Sequence, residues 1–123
     1  MIFKICRQCG NLVEVVREGS CAITCCGKEM QTLKPNTTDA AGEKHVPAVT
    51  VADGKVSVKV GSVTHPMLPE HFIQFVELET ENGVQRKNLK PGEAPEAEFL
   101  LNGEKPVAVY EFCNLHGLWK TDL

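Results

Sequence analysis

Four cysteines near the start of the chain are the feature that most restricts its fold. They form a Cys6-x-x-Cys9 pair and an adjacent Cys25-Cys26 pair, both within residues 1–36. A segment this short cannot bury enough apolar surface to be stable without a crosslink or a metal. Cys25 and Cys26 are not expected to bond to each other, because adjacent alpha carbons lie about 3.8 Å apart and a disulfide usually needs roughly 4.4–6.8 Å. We therefore expect four thiolates to bind one tetrahedral metal ion, with iron and zinc as the candidates.

The identity of that metal decides what the segment does. Iron would make it a one-electron redox centre, whereas zinc would serve only to hold the fold, and the cysteine spacing favours neither. Cys21 lies four residues before Cys25 and has no partner in this pattern. We expect it to be a small core residue and not a ligand.

Composition and charge narrow the class of protein. The chain has 123 residues, of which 42% are hydrophobic and 24% charged, which is typical of a globular chain with one domain or with a small module joined to a modest one. Its net charge of -3 argues against a nucleic-acid binder that works by general attraction to phosphate. The sequence has neither an apolar run of about 18 residues, as a membrane span needs, nor a secretory signal. We expect a cytoplasmic protein without membrane contact, where reducing conditions favour metal-bound thiolates over disulfides.

The polar segment 33–44 predicts a linker between two domains. It contains a proline and a glycine and has no sustained hydrophobic period. The charge balance also changes here, from an excess of basic residues before it to an excess of acidic residues after it. The sequence therefore predicts a metal-stabilised domain at residues 1–36 and a second domain at residues 37–123.

The second domain has the pattern of short strands. Alternating valines on either side of Asp53-Gly54 predict a hairpin with one buried face. Asn82-Gly83 and Asn102-Gly103 mark two further turns. The expected strands cover residues 49–51, 56–60, 72–79, 84–89, 98–101 and 107–113. Because no helical period lies between them, the pattern predicts an all-β fold, a small antiparallel sandwich of about seven strands.

All four histidines and the sixth cysteine fall in this second domain, at strand edges or in connections. They are His45, His65, His71, Cys113 and His116. Prolines on both sides of Met67 restrict the loop that carries two of these histidines, and so help to fix the imidazole directions. Histidines scattered over surface and core are the alternative explanation. Four imidazoles and one thiolate suit neither tetrahedral zinc nor calcium or magnesium, which prefer oxygen, so iron with one open position is the better match.

On these residues the sequence resembles the desulfoferrodoxins, the two-iron superoxide reductases. Cys6-x-x-Cys9, Cys25-Cys26-Gly27 and Met30 are similar to the desulforedoxin-type N-terminal domain. The motifs that match the reductase domain are Glu43-Lys44-His45-Val46-Pro47, Gly61-Ser62-Val63-Thr64-His65-Pro66-Met67, His71, Leu89-Lys90-Pro91-Gly92 and Cys113-Asn114-Leu115-His116-Gly117. The likeness spans nearly the whole chain, and the motifs agree in order and spacing. Phe72 and Phe75 stand where relatives are expected to have tryptophan, and Cys21 lies outside the pattern.

The resemblance implies a fold, two cofactors and an activity. The fold would be a desulforedoxin-like domain followed by an immunoglobulin-like β-sandwich. Cys6, Cys9, Cys25 and Cys26 would hold a rubredoxin-like iron. His45, His65, His71 and His116 would form an equatorial square around a second iron, with Cys113 as the axial ligand opposite an open site. The family reduces superoxide to hydrogen peroxide by one electron without making dioxygen, takes electrons from rubredoxin and forms homodimers.

Two residues beside His45 are candidates for roles in that reaction. Superoxide is an anion and the protein is acidic overall, so Lys44 is the expected source of local positive field at the open position, and of ordered water that supplies protons. A solvated linker lysine is the alternative. Glu43 is expected to occupy the open position in the resting state and not to be an essential acid. The backbone amides of Leu115 and His116 are expected to hydrogen-bond the sulfur of Cys113.

Two functions of other classes fit parts of the sequence. An electron carrier that uses only the four-cysteine iron would leave the histidine-bearing loops unexplained. A zinc-stabilised binding module without catalysis would be colourless, whereas a ferric tetrathiolate absorbs visible light.

Overall fold

The computed structural model describes residues 1–123 and consists almost entirely of strands, which confirms the predicted all-β class. Its one helical turn is α1 (Gly42–His45). The chain divides into two compact units, Met1–Lys34 and Pro35–Leu123. No helix has the length and apolar character needed to cross a bilayer.

The N-terminal unit is built on very short strands. They are β1 (Ile2–Ile5), β2 (Leu12–Val15), β3 (Thr24–Cys25), β4 (Lys28–Glu29) and β5 (Gln31–Thr32). Three of them form a sheet in the order β2-β1-β5, and β3 and β4 form a separate hairpin. Its buried hydrophobic side chains are only Phe3, Cys6 and Met30. Because so small a core cannot hold a fold by itself, the unit needs a further crosslink.

Cys21 does not belong to this core. Its side chain is exposed, so the prediction that it is a core residue is wrong. It lies in the connection between β2 and β3, with its Sγ atom 3.9 Å from the hydroxyl of Ser20. The core of this unit contains only three buried hydrophobic side chains, so the connection between β2 and β3 lies on the surface.

The second unit contains seven strands, the number expected from the sequence. They are β6 (Pro47–Ala52), β7 (Lys55–Val60), β8 (Ile73–Thr80), β9 (Gly83–Asn88), β10 (Glu96–Leu100), β11 (Pro106–Cys113) and β12 (Gly117–Asp122). The first six agree with the predicted segments to within about two residues. The strand β12 was not predicted, because the adjacent residues Leu118 and Trp119 are both buried and the strand shows no alternation.

These strands form the predicted immunoglobulin-like sandwich of two antiparallel sheets. One sheet has the order β10-β7-β6 and the other the order β12-β11-β8-β9. Strand β7 buries every second residue, Val56, Val58 and Val60, as a strand does when one of its faces lies on a core. These valines join Val76, Leu78 and Val109 of the facing sheet in one apolar cluster. The core thus lies between the sheets, and the connections at their ends remain free for other roles.

The predicted linker region contributes ordered structure to the second unit. The side-chain amide of Asn36 donates to the Lys120 carbonyl at 3.0 Å, and its oxygen accepts from the Lys120 backbone amide at 2.8 Å. These two bonds attach the start of the second unit to β12. The helical turn α1 lies at the other end of this region and carries the first histidine.

Candidate metal centres

The four N-terminal cysteines converge at one point. Their Sγ atoms all lie within 4.8 Å of one another, and those of Cys9 and Cys25 are 3.5 Å apart. Cys6 directly follows β1 and begins a tight turn, in which the Gly10 amide donates to the Cys6 carbonyl at 2.8 Å. This turn brings the sulfur atoms of Cys6 and Cys9 to the same side.

The other two cysteines lie at the tip of the β3–β4 hairpin. Cys26 and Gly27 have φ values of 53° and 73°, as the two central residues of a type I′ turn do. A cysteine rarely adopts this left-handed conformation, which costs roughly 1–2 kcal/mol outside glycine. This conformation allows the consecutive side chains of Cys25 and Cys26 to point to one ion.

The charges in this cluster call for a cation. Backbone amides of Cys9 and Gln8 donate to the sulfur of Cys6, and the pKa of Cys6 is lowered to about 6. The pKa of Cys26 is instead raised to about 12, first by its hydrogen bond with the Cys9 sulfur and then by that with the Cys6 sulfur. Four thiolates cannot share this space alone, so the cluster fits a metal ion that neutralises them.

The four histidines and Cys113 form a second cluster, at one end of the sandwich. His45 ends α1, His65 lies between β7 and β8, His71 precedes β8, and His116 lies between β11 and β12. Cys113 is the last residue of β11. Their ligand atoms all lie within 4.8 Å of one another. Residues 71 positions apart in the sequence are thus brought to one point by the fold.

The four imidazole rings form a closed square. Going around it in the order His45, His65, His71 and His116, neighbouring ring centroids lie 4.6, 4.6, 5.1 and 4.9 Å apart, with interplanar angles between 77° and 83°. The diagonal pair, His45 and His71, has centroids 6.5 Å apart. Rings set edge to face around a centre in this way direct one nitrogen each toward it.

The protonation of two of these rings leaves lone pairs facing each other. Nδ1 of His45 lies 2.7 Å from the Ala41 carbonyl, and Nδ1 of His65 lies 2.6 Å from the Pro66 carbonyl. A carbonyl only accepts, so both Nδ1 atoms carry a hydrogen and both Nε2 atoms carry a lone pair. Yet these two Nε2 atoms lie only 3.1 Å apart. The arrangement is stable when a cation lies between them.

Burial favours the neutral form of three of these rings, which is the form that binds metals. It lowers the pKa of His65 to about 4 and also lowers the pKa of His45 and of His71. The Nε2 atom of His71 is buried and has no hydrogen-bond partner. His116 presents the other nitrogen, since its Nδ1 lies 3.1 Å from Nε2 of His45. We infer three ligands through Nε2 and one through Nδ1.

Cys113 supplies the fifth donor from the buried side of the cluster. It has no exposed surface, and its sulfur lies 3.5 Å from Nε2 of His65. The pairing of β11 with β8 shifts between Phe112 and Cys113, an irregularity of the kind that redirects side chains beside active sites. Burial raises the pKa of Cys113, while amides of Leu115 and His116 donate to the sulfur and lower it, as expected from the sequence.

The donor set of this cluster fits iron. Five nitrogen and sulfur donors exceed the four of a structural zinc site and contain none of the oxygens that calcium and magnesium prefer. Imidazole and thiolate are ligands of iron in proteins. A square of four nitrogens with a sulfur on its buried side leaves a coordination position on the opposite side.

Two hydrogen-bonded connections hold the loops that carry these ligands. Leu68 and His71 exchange both backbone hydrogen bonds, at 2.9 and 3.0 Å, and so close the proline-containing loop. Asn114 accepts from the Phe72 amide at 2.9 Å and donates to the Glu70 carbonyl at 3.0 Å, which ties the loop after Cys113 to the start of β8. The sequence placed Asn114 in a motif but did not indicate this role.

Glu43 and Lys44 lie exposed on α1, directly before His45. The positive charge of Lys44 acts on His71 and lowers its pKa, and the negative charge of Glu43 acts on His45 and raises its pKa. In both cases burial has the larger effect. Both side chains are therefore close enough to affect the histidine square electrically.

The turn that carries Glu43, Lys44 and His45 is packed tightly against the loop before His65. The Glu43 carbonyl accepts from the Val63 amide at 2.8 Å and from the Ser62 hydroxyl at 3.2 Å. A Cβ atom at Gly61 would lie 2.7 Å from that carbonyl oxygen and 2.9 Å from the Val46 carbonyl oxygen. Only glycine allows this approach, because the clashing atoms belong to the backbone.

We expect Gly61→Ala to displace this turn and to lower the stability of the second unit by about 1–3 kcal/mol, the usual cost of overpacking. His45 and Lys44 should move with the turn, so metal content should fall as well. Thermal unfolding and metal analysis measure the two effects. Gly42→Ala is the matched control, because a Cβ atom at Gly42 meets nothing within 4 Å. Equal behaviour of the two variants would mean that the contact at Gly61 does not position the turn.

Both parts of the chain match one known protein family. Residues 37–122 match desulfoferrodoxin, and residues 2–33 match the desulfoferrodoxin N-terminal domain. The chain belongs to the desulfoferrodoxin family. The desulfoferrodoxin of Syntrophotalea carbinolica is 50% identical over 118 residues, which cover 95% of this chain and 92% of that protein.

Some solved structures resemble nearly the whole of this chain, and others resemble a part of it. The superoxide reductase from Treponema pallidum has a TM-score of 0.80 and 40% identity, and the match covers 98% of each chain. The one-iron superoxide reductase from Giardia intestinalis has a TM-score of 0.57 and 27% identity, and the match covers 66% of this chain and 97% of that one. The two side-chain clusters correspond to the two iron centres that the family resemblance implies.

Proposed function

We propose that this desulfoferrodoxin is a superoxide reductase, which converts superoxide to hydrogen peroxide with one electron and two protons and releases no dioxygen. The observation that carries the proposal is the cluster of four histidines and one cysteine, whose donors leave one side of the square for a small ligand. The similarity to superoxide reductases of known structure supports it.

The reaction needs an electron, two protons and attraction of an anion. Iron bound by the five donors would supply the electron as it passes from the ferrous to the ferric state. Lys44 attracts superoxide, because its charge lies beside the histidine square while the protein as a whole has a net charge of -3. The ammonium group also orders water near the bound anion, and this water delivers the protons that hydrogen peroxide requires.

Cys113 and Glu43 act before and after this step. The Cys113 thiolate would hold the iron from the buried side and would supply electron density to it, as thiolate ligands do in haem enzymes. We propose that Glu43 takes the open position in the resting state. The Glu43 backbone is held by the amide of Val63 and the hydroxyl of Ser62, so this movement is one of the side chain and not of the whole turn.

We further propose a division of labour between residues 1–36 and residues 37–123. The first part would be an electron-transfer domain built on the tetrathiolate iron, and the second would reduce superoxide. A rubredoxin-type protein would donate the electrons, and two copies of the chain would form a homodimer. None of the six cysteines forms a disulfide, which supports a reducing cytoplasmic setting. Light scattering and reduction kinetics with a rubredoxin test the dimer and the donor.

The activity is tested by mixing pulses of superoxide with the reduced holoprotein and measuring hydrogen peroxide and dioxygen. A reductase yields one peroxide for each superoxide and no dioxygen, whereas dismutation yields half as much peroxide together with dioxygen. Metal analysis and a visible spectrum of the same sample separate iron from zinc. Evolution of dioxygen, or a colourless zinc protein, would overturn the proposal.

We expect Cys9→Ser to separate the two centres. Loss of one thiolate should abolish the tetrathiolate absorption and weaken the N-terminal unit, whose own core is small. Superoxide reduction by the pre-reduced protein should stay within about twofold, because the histidine cluster uses none of these residues. Stopped-flow kinetics and visible spectra measure both effects.

Cys21→Ser is the matched control for this variant. Cys21 is an exposed thiol outside both clusters, so the same atomic change there should preserve both the absorption and the rate. If the Cys9 variant loses the reaction of the pre-reduced protein while the second iron stays bound, the two centres do not act separately.

A further inference from the structure

Trp119 contacts two of the four histidines. It lies on β12, is 4% exposed and is the only tryptophan of the chain. Its ring is stacked on that of His45, with centroids 4.8 Å apart and an interplanar angle of 26°. Its Nε1–H group donates to the carbonyl of His116 at 3.1 Å. One side chain thus supports ligands that are 71 positions apart in the sequence.

The stacked indole completes the restraint on His45. The hydrogen bond from Nδ1 to the Ala41 carbonyl fixes the direction of the imidazole within its plane. It does not prevent the ring from tilting out of that plane. The face of Trp119 blocks this tilt, so Nε2 of His45 is held in all directions before a metal arrives.

The hydrogen bond of the indole restrains His116 through its backbone. His116 presents Nδ1 to the cluster, and this atom is nearer to the main chain than Nε2 is. The position of the ligand atom therefore follows the position of the backbone closely. The next residue is Gly117, with a φ of 78°, and it gives the peptide group little restraint of its own. The pairing of Gly117 with Cys113 holds one side of this peptide group, and the Nε1–H group of Trp119 adds a restraint at the carbonyl of His116.

We propose that Trp119 is a positioning residue of the second iron centre, which holds His45 by stacking and His116 by a hydrogen bond at adjacent corners of the histidine square. These corners are close, since Nε2 of His45 and Nδ1 of His116 lie 3.1 Å apart. Loss of either contact lets one ligand move away from the metal. Trp119 therefore sets how tightly iron is retained and what spectrum the centre shows.

Two substitutions separate the two contacts. Trp119→Phe keeps an aromatic face for His45 and removes the N–H donor, whereas Trp119→Leu removes both. Partners that orient metal ligands typically contribute about 10–100-fold to metal affinity. We expect iron loss to a chelator to be about tenfold faster in the phenylalanine variant and about a hundredfold faster in the leucine variant. The electron paramagnetic resonance signal of the ferric centre should change in both variants.

The experiment uses the holoprotein, and circular dichroism shows that each variant is folded before iron release is measured. Phe99→Leu is the matched control, since Phe99 is 6% exposed in the same sandwich core and lies on β10, which carries none of the five ligands. It should lower the unfolding temperature and leave iron release and the ferric signal unchanged. A merely structural role for Trp119 would give the same pattern as this control.

The proposal rests on iron binding by the histidine cluster and not on the superoxide reaction. Iron release from the two tryptophan variants at the rate of the Phe99 variant, with an unchanged ferric signal, would overturn it. Equal acceleration in both tryptophan variants would assign the whole effect to the hydrogen bond and reject the stacking part. A protein that retains iron but does not reduce superoxide would count against the proposed function alone.

Discussion

Replacing Cys113 with serine is expected to stop the reaction while iron stays bound. The four imidazoles still hold the metal, but a serine hydroxyl in a fully buried position stays neutral and donates little electron density. Loss of a residue that only supports a metal ligand typically costs about 10–100-fold in affinity or activity. Because Cys113 is itself a ligand, we expect its loss to slow peroxide formation by at least this factor. The sulfur-to-iron charge-transfer band should disappear. Stopped-flow mixing of the reduced variant with superoxide, after iron analysis, measures both.

The opposite result has a clear meaning for Cys113. A buried cysteine that only fills the core would lose some stability on replacement and keep both spectrum and rate. Val109→Ala is a suitable control, because Val109 is equally buried on β11 and lies outside the metal cluster. A normal rate with an unaltered band in the serine variant would remove Cys113 from the centre and leave four histidines as its ligands.

Lys44→Ala is expected to slow the encounter with superoxide by about tenfold or more and to flatten its dependence on ionic strength. Burial and the neighbouring His116 are the main causes that lower the pKa of His71, and the charge of Lys44 lowers it further, so Lys44 acts on the histidine square. An exposed charge is screened by salt beyond about 8 Å at physiological ionic strength, so the difference from the native protein should shrink as salt is added. Pulse radiolysis at several salt concentrations measures the rate.

Lys105→Ala removes the same charge far from the site and serves as the control. Lys105 pairs with Glu81 at 3.8 Å. It lies directly before β11, and Cys113 is the residue at the opposite end of that strand. Eight strand residues span about 25 Å, three screening lengths. Equal rates and salt dependence for the Lys44 variant and the native protein would contradict local attraction.

Glu43→Ala should leave the first step nearly unchanged and alter only later ferric species.

The composition of both metal clusters could be predicted from the sequence. Thiolate and imidazole are strong ligands in themselves, so the number, type and spacing of Cys6, Cys9, Cys25 and Cys26 already limited what the segment could bind. The same holds for the histidines, none of which lies within a strand. Turn residues such as Asp53-Gly54 also act locally, through φ values of 53° and 72°, and this is why the β6–β7 hairpin was predicted correctly.

Features that depend on contacts between distant segments could not be predicted. The burial of β12 gives no alternation in the sequence, and the exposure of Cys21 follows from the small core of its unit. The close approach at Gly61 depends on the backbone of a turn some fifteen residues earlier in the chain. Nothing in the local sequence of Trp119 indicates that it stacks on His45.

Ligand chemistry and backbone preference belong to single residues, so they can be predicted from sequence: they establish which atoms are available to the metals and which turns bring strands together. The nitrogen that each histidine presents depends instead on the folded chain. Nδ1 of His45 and of His65 is occupied by a backbone carbonyl, which leaves Nε2 for the metal. His116 presents Nδ1 instead. Such choices depend on hydrogen bonds and packing between segments far apart in the chain, and these exist only once the chain has folded.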